Sequence, residues 1–167
     1  MTHNPFPKAN GSLTFKTDWR WAWMGFTVYG GPFPNFTKGD NTFGLNLREE
    51  KHHKCDAYLP IADFSIPTQS DEKVAETIAF VIDQALQGKH VYMGCMGGWG
   101  RTGIVLSLIA KTMGEERPVE FVRKHYSHRA VETADQYAYV QNFDVSGIQA
   151  RLQKQAWRHR IRSLWPF

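Results

Sequence analysis

Apolar positions along the chain follow two periods. Over 71–87, Val74, Ile78, Ile82, Ala85 and Leu86 recur at three- to four-residue intervals. That spacing predicts a helix with one apolar stripe, and Gly88 follows where helices end. Residues 104–113 repeat the pattern through Ile104, Val105, Leu108 and Ile109. Residues 118–126 read as a helix with proline in its first turn. Glu132 or Thr133 opens another that runs to about Phe143, with Asp71 as the N-cap of the helix over 71–87. A last helix is predicted over 145–163. Shorter apolar runs at 42–47, 57–61 and 89–93 read as strands, and 23–29 as one more. Residues 48–54 form a charged loop between the first two of these, and 63–67 stop the strand over 57–61. Strands early, helices late and one strand–loop–helix unit at the centre predict an α/β sandwich with a small central sheet flanked by helices.

Composition narrows this picture. The 167 residues suit a single domain over 1–167, with enough apolar content to bury a core. Residues 1–40 are rich in tryptophan, glycine and proline, including Trp19, Trp21 and Trp23. No apolar run reaches membrane-spanning length. The first residues lack the basic-then-apolar plan of a signal peptide. Two cysteines suit a reducing compartment better than a disulfide framework, so a cytoplasmic address is expected.

The formal charge of +4 is concentrated at one end. From 145 to 167 the chain carries Arg151, Lys154, Arg158, Arg160 and Arg162 and no acid, which leaves fifteen basic against sixteen acidic residues elsewhere. The basicity is a tail property and argues against a nucleic-acid surface on the body. Trp157, Ile161, Leu164 and Trp165 recur at helical spacing among those arginines. Such a helix docks on its own domain, or binds an acidic partner or an anionic membrane surface.

The candidate chemistry lies in Gly94-Cys95-Met96-Gly97-Gly98-Trp99-Gly100-Arg101-Thr102-Gly103. A loop between a strand and a helix N-terminus turns backbone N–H groups toward one point and adds the positive end of the helix dipole. That is a cradle for a dianionic phosphate. Arg101 can give paired hydrogen bonds to phosphate oxygens. Cys95 lies at the base of the loop, where a nucleophile attacks a bound phosphoryl group. Three other readings fit part of the pattern. Gly98-Trp99-Gly100-Arg101-Thr102-Gly103 matches a dinucleotide fingerprint, but only 64 residues follow and no acid-tipped strand is evident among them. A nucleotide P-loop requires lysine where Arg101 stands. A tight turn with a structural cysteine needs no ligand at all.

The stretch resembles the cysteine-x5-arginine-Ser/Thr loop of the protein tyrosine and dual-specificity phosphatases. The resemblance spans about 41–143 and implies their fold and a phosphomonoester hydrolase that passes through a cysteinyl-phosphate, with no cofactor or metal. It implies Cys95 as nucleophile, with Met96, Gly97, Gly98, Trp99, Gly100 and Arg101 binding the phosphoryl group. Thr102 would hydrogen-bond the sulfur. The segment 59–67 resembles the family's acid loop and makes Asp63 the general acid; Asp56 is the nearest rival, but precedes its strand. The segment 131–136 resembles the one that positions water for the second step, which favours Gln136, and Glu132 less. The family's usual histidine before the nucleophile is here Gly94. Some members protect the nucleophile with a second cysteine; for Cys55 an unremarkable thiol is the stronger reading.

The resemblance implies phosphorylated protein, on tyrosine or of mixed specificity, as substrate. No lysine lies between Cys95 and Arg101, which counts against polyphosphorylated inositol lipids. RNA 5′ ends or nucleotides remain an alternative substrate, and phosphate binding without turnover an alternative role. Trp99 either stacks on a substrate ring or packs on its own domain.

Overall fold

The computed structural model describes residues 4–16 and 25–164, with side chains to 158. Trp19, Trp21 and Trp23 lie outside these. Five strands, β1 (Gly11–Lys16), β2 (Gly25–Pro32), β3 (Thr42–Arg48), β4 (Ala57–Ile61) and β5 (His90–Cys95), form one sheet in the order β1-β2-β5-β3-β4. Among the described residues there are five α-helices, α1 (Asp71–Leu86), α2 (Gly100–Thr112), α3 (Pro118–His125), α4 (Ala134–Asn142) and α5 (Ser146–Leu164). β1 and β2 pair antiparallel; every other pairing is parallel.

Alternation along the strands sorts the sheet into two faces. Val28, Leu45, Val91 and Met93 join the main core, to which all five helices contribute buried residues such as Ile78, Leu108, Val122, Val140 and Ile148. Tyr92 faces the other way, into a smaller cluster with Phe6 and Phe33. The Phe6 and Tyr92 rings meet edge to face at 5.0 Å. One face of the sheet is therefore covered by helices and the other by aromatic side chains of the N-terminal segment.

The resemblance to the phosphatases, over about 41–143, leaves that segment without a counterpart. It joins the sheet all the same: β2 pairs directly with the central strand β5, Val28 to Val91 and Pro32 to Cys95, and β1 extends the edge. β1 escaped the sequence reading because Gly11 and Ser12 dilute a strand whose inward residues are only Leu13 and Phe15.

The helices begin for local reasons. Ser70, not Asp71, caps α1: its hydroxyl accepts the Lys73 N–H, and Asp71 sits in the first turn beside the positive end of the dipole. Gly88 takes φ of 89° just past the helix, a value open to glycine at no steric cost. Thr133 caps α4 in a reciprocal capping box with Gln136. α5 lies against α1 through Ile148 and Leu152, while Trp157 is exposed. Ile161, Leu164 and Trp165, which completed the predicted stripe, lie outside the described side chains. Among the described residues no helix is long and apolar enough to cross a membrane.

Parallel strands bring their C-terminal ends to one edge of the sheet. Cys95, Arg48 and Ile61 all end strands there, and the crevice outside such ends is where open α/β sheets hold ligands.

Candidate active site

The loop joining β5 to α2 is built around Cys95, which is almost completely buried. The Thr102 hydroxyl donates to Cys95 Sγ at 3.2 Å, and the same oxygen accepts the Cys95 backbone N–H at 3.1 Å. The start of α2 has no side-chain cap, so its first-turn N–H groups keep their capacity to bind an anion. Of the loop glycines, Gly98 alone takes a positive φ, 78°.

Gly94 is required by close approach. A Cβ there would stand 2.5 Å from the Gly31 carbonyl oxygen and 2.8 Å from the Phe33 nitrogen. The histidine usual in the family has no room at this position because the turn after β2 crosses it.

Arg101 is 1% exposed and fully engaged at one end. Its Nη1 donates to Glu50 Oε2 at 2.6 Å and to the Ile61 carbonyl at 3.0 Å. Its Nη2 donates to Glu50 Oε1 at 3.3 Å and pairs with Asp63 Oδ1 at 3.0 Å. Nε is buried without a protein partner. A buried guanidinium is tolerable only when paired, and Glu50 provides most of that pairing. Burial pushes the Glu50 carboxyl up, but hydrogen bonds from Arg101, its own backbone N–H and Arg48, with the charge of Arg101, outweigh it and lower the pKa to about 2. Glu50 was not singled out in the sequence, where it is one charge among seven residues of loop. The signal that could have found it is the demand itself: an arginine buried beside a strand end needs an acid from a neighbouring strand end.

Asp63 follows β4 directly and is half exposed. The Phe64 N–H donates to its Oδ1, with Phe64 at φ of 55° and its ring 60% exposed. Asp56, the rival, accepts the Gly44 N–H and pairs with Lys38, which ties it to the opposite end of β3.

Gln136 is fully buried, and both ends of its amide are used. Nε2 donates to the Ser65 carbonyl in the loop after β4, and Oε1 accepts the N–H groups of Glu132 and Thr133. It joins that loop to the start of α4. A Cβ on Gly100 would meet the Gln136 amide at 3.2 Å and the Glu132 carboxylate closer still. Both residues therefore border the loop, but the free acceptor there belongs to Glu132. Val131, at φ of 61°, is held by Arg123, whose guanidinium donates to the Ala130 and Val131 carbonyls.

The remaining loop residues form a rim. Met96 is 61% exposed, and the Arg129 guanidinium lies 3.5 Å from the centre of the Trp99 ring, a cation–π contact. The Gly97 carbonyl accepts from Asn10 and the Gly98 carbonyl from Tyr126; neither donor was found in the sequence. Cys55 and Cys95 are both free thiols. Cys55 packs with the aromatic cluster and Cys95 with the main core, on opposite sides of the sheet. Among the described residues no group of three or more His, Cys, Asp or Glu side chains is placed to hold a metal ion.

No family model matches the chain. An uncharacterized protein of Methanocaldococcus jannaschii is 40% identical over 86 residues, which cover 52% of this chain and 57% of that protein. The chain spans about half the length of the curated relatives it matches. The crystal structure of Tk-PTP in the active form superposes with a TM-score of 0.53 at 27% identity, over 67% of this chain and 80% of that one. That of PTPMT1 superposes with a TM-score of 0.54 at 16% identity, over 76% and 94%; this likeness is one of fold. The chain has the protein tyrosine phosphatase-like fold, and it resembles the tyrosine and dual-specificity phosphatases in sequence as well as in architecture.

Proposed function

We propose that the protein is a phosphomonoester hydrolase working through a cysteinyl-phosphate, with phosphotyrosine or mixed phosphoprotein substrates. The observation that carries this reading is the convergence on one loop of Cys95 Sγ, the Thr102 hydroxyl bonded to it, Arg101 with an unpartnered buried Nε, and Asp63 against the same guanidinium. In the first step the Cys95 thiolate attacks phosphorus, the phosphate–oxygen bond breaks, and Asp63 gives its proton to the leaving oxygen. Proton donation of this kind contributes about 10²–10⁴-fold. Arg101 and the loop amides hold the equatorial oxygens. In the second step water attacks phosphorus, Asp63 takes its proton, and the S–P bonding pair returns to sulfur, where the Thr102 hydroxyl stabilises it. Glu132, at the loop edge, is the better placed of the two downstream residues to orient that water; Gln136 sets the position of the segment that carries both.

Aromatic phosphomonoesters are favoured because Phe64 and Met96 expose large apolar surface beside Asp63 and Cys95, and such surface binds a phenyl ring better than an alkyl alcohol. The test is turnover of p-nitrophenyl phosphate in the presence of EDTA. Wild type should turn over and trap a phosphoenzyme on rapid quench, and Cys95→Ser should lose all turnover while still binding vanadate. Folded wild type without turnover between pH 5 and 8 overturns the reading.

A further inference from the structure

The N-terminal segment reaches the phosphate loop through one side chain. Asn10 Nδ2 donates to the Gly97 carbonyl at 2.8 Å, across 87 residues of sequence. Its backbone N–H donates to the Gly30 carbonyl at 2.8 Å, which anchors Asn10 to the edge of β2. From the helical side, the Tyr126 hydroxyl donates to the Gly98 carbonyl at 2.6 Å. Tyr126 is buried at the end of α3. Two consecutive carbonyls of the loop are thus tied by two donors from different parts of the fold.

These are the carbonyls whose direction matters. Gly97 and Gly98 have the widest backbone freedom in the loop, and a peptide that turns its oxygen inward presents a negative dipole to an anion where an N–H should be. Gly98 holds φ of 78° with its neighbours pressed close: a Cβ would stand 2.5 Å from Gly31 and 2.6 Å from Asn10 Nδ2. Packing alone limits the loop's position, but only a hydrogen bond to oxygen fixes which way each peptide faces.

We propose that Asn10 and Tyr126 are positioning residues that hold the Gly97 and Gly98 carbonyls outward, so that the loop is set to receive a tetrahedral oxyanion. The proposal rests on the phosphate-loop reading above. Neither side chain touches the substrate; each acts through a loop peptide. The two donors come from segments far apart in the chain, so the loop forms correctly only when β1–β2 and α3 are both docked.

Tungstate, an inert tetrahedral dianion, tests this by direct binding in calorimetry, without turnover. Wild type should bind. Asn10→Ala and Tyr126→Phe should each weaken binding about five- to tenfold, the loss expected of one hydrogen bond to a site with an anion in it. The double variant should lose less than the product of the two, because the donors hold adjacent peptides of one loop. Asn10→Asp, which keeps the shape but turns an acceptor toward the Gly97 oxygen, should bind more weakly than Asn10→Ala, whereas Asn10→His, which restores a donor, should recover part of the affinity. For p-nitrophenyl phosphate, kcat/KM should fall in parallel with tungstate affinity while thermal midpoints of the exposed-site Asn10 variants stay near wild type. Variants that bind tungstate as wild type does would overturn the proposal, as would a loss of affinity that follows only the thermal midpoint. Wild type that binds no tungstate would overturn the phosphate-loop reading instead, and with it the basis for assigning these residues.

Discussion

Glu50 is the residue on which Arg101 depends, and its titration has a definite sign. Its folded pKa of about 2 lies below the ordinary carboxylate value of 4.5. A depressed pKa contributes stability that is present above the unfolded value and lost as pH falls through the folded one. The contribution is therefore complete at neutral pH and disappears between about pH 4.5 and 2. Glu50→Gln should be less stable than wild type at pH 7, and the gap in urea midpoint should close across that acid window. A gap unchanged from pH 7 to 3 would show that the carboxylate charge does not matter. Phe64 offers a different separation. It combines a left-handed backbone with an exposed ring, and Asn adopts that conformation more readily than a bulky residue. Phe64→Asn should change stability by no more than about 0.5 kcal/mol, yet raise KM for aryl phosphates. Differential scanning calorimetry and steady-state kinetics on the same sample would check both halves.

At the scale of elements, the central pairing of β2 with β5 decides what the loop can contain. The chain turns into its 3-10 segment, Phe33–Asn35, directly over Gly94. Gly94→Ala should cost about 1–3 kcal/mol from overpacking against backbone that cannot retreat, read as a lower urea midpoint with unchanged slope. Gly94→His should be worse, not a restoration of a family feature. The same pairing explains why an unusual glycine at this position is compatible with an ordered loop: Asn10, Tyr126 and Thr102 supply hydrogen bonds from three different elements. On the opposite flank, the Gln136 amide ties the loop that carries Asp63 to the segment that carries Glu132.

At the scale of the whole molecule, α5 packs on α1 and buries Ile148 and Leu152 in the main core. Ile148→Ala should cost about 2–5 kcal/mol by leaving a cavity in the main core. Its kcat/KM at temperatures well below the midpoint should match wild type; a proportional loss of activity would mean that α5 communicates with the site.

Much of this architecture is written in local pattern. The periodic stripe of α1, the proline that opens α3, the Thr133 cap of α4 and the apolar strands flanking the loop are short-range features, legible because a few neighbouring residues determine them. The loop with Cys95, Arg101 and Thr102 is equally local, since its residues fall within eight positions. What the linear chain conceals is whatever depends on distant strands meeting. Glu50 becomes the partner of Arg101 only because β3 and β5 end at one edge of the sheet. Gly94 is intelligible only once β2 lies beside it, and Asn10 reaches Gly97 only across a sheet whose first strand carries a weak signal. Sequence by itself determined which residues could do the chemistry, because that depends on residue type and close spacing. The tertiary structure decided which buried charge is compensated, which loop carbonyls are held and which glycine has no alternative, because those outcomes follow from contacts between segments that sequence separation leaves unordered.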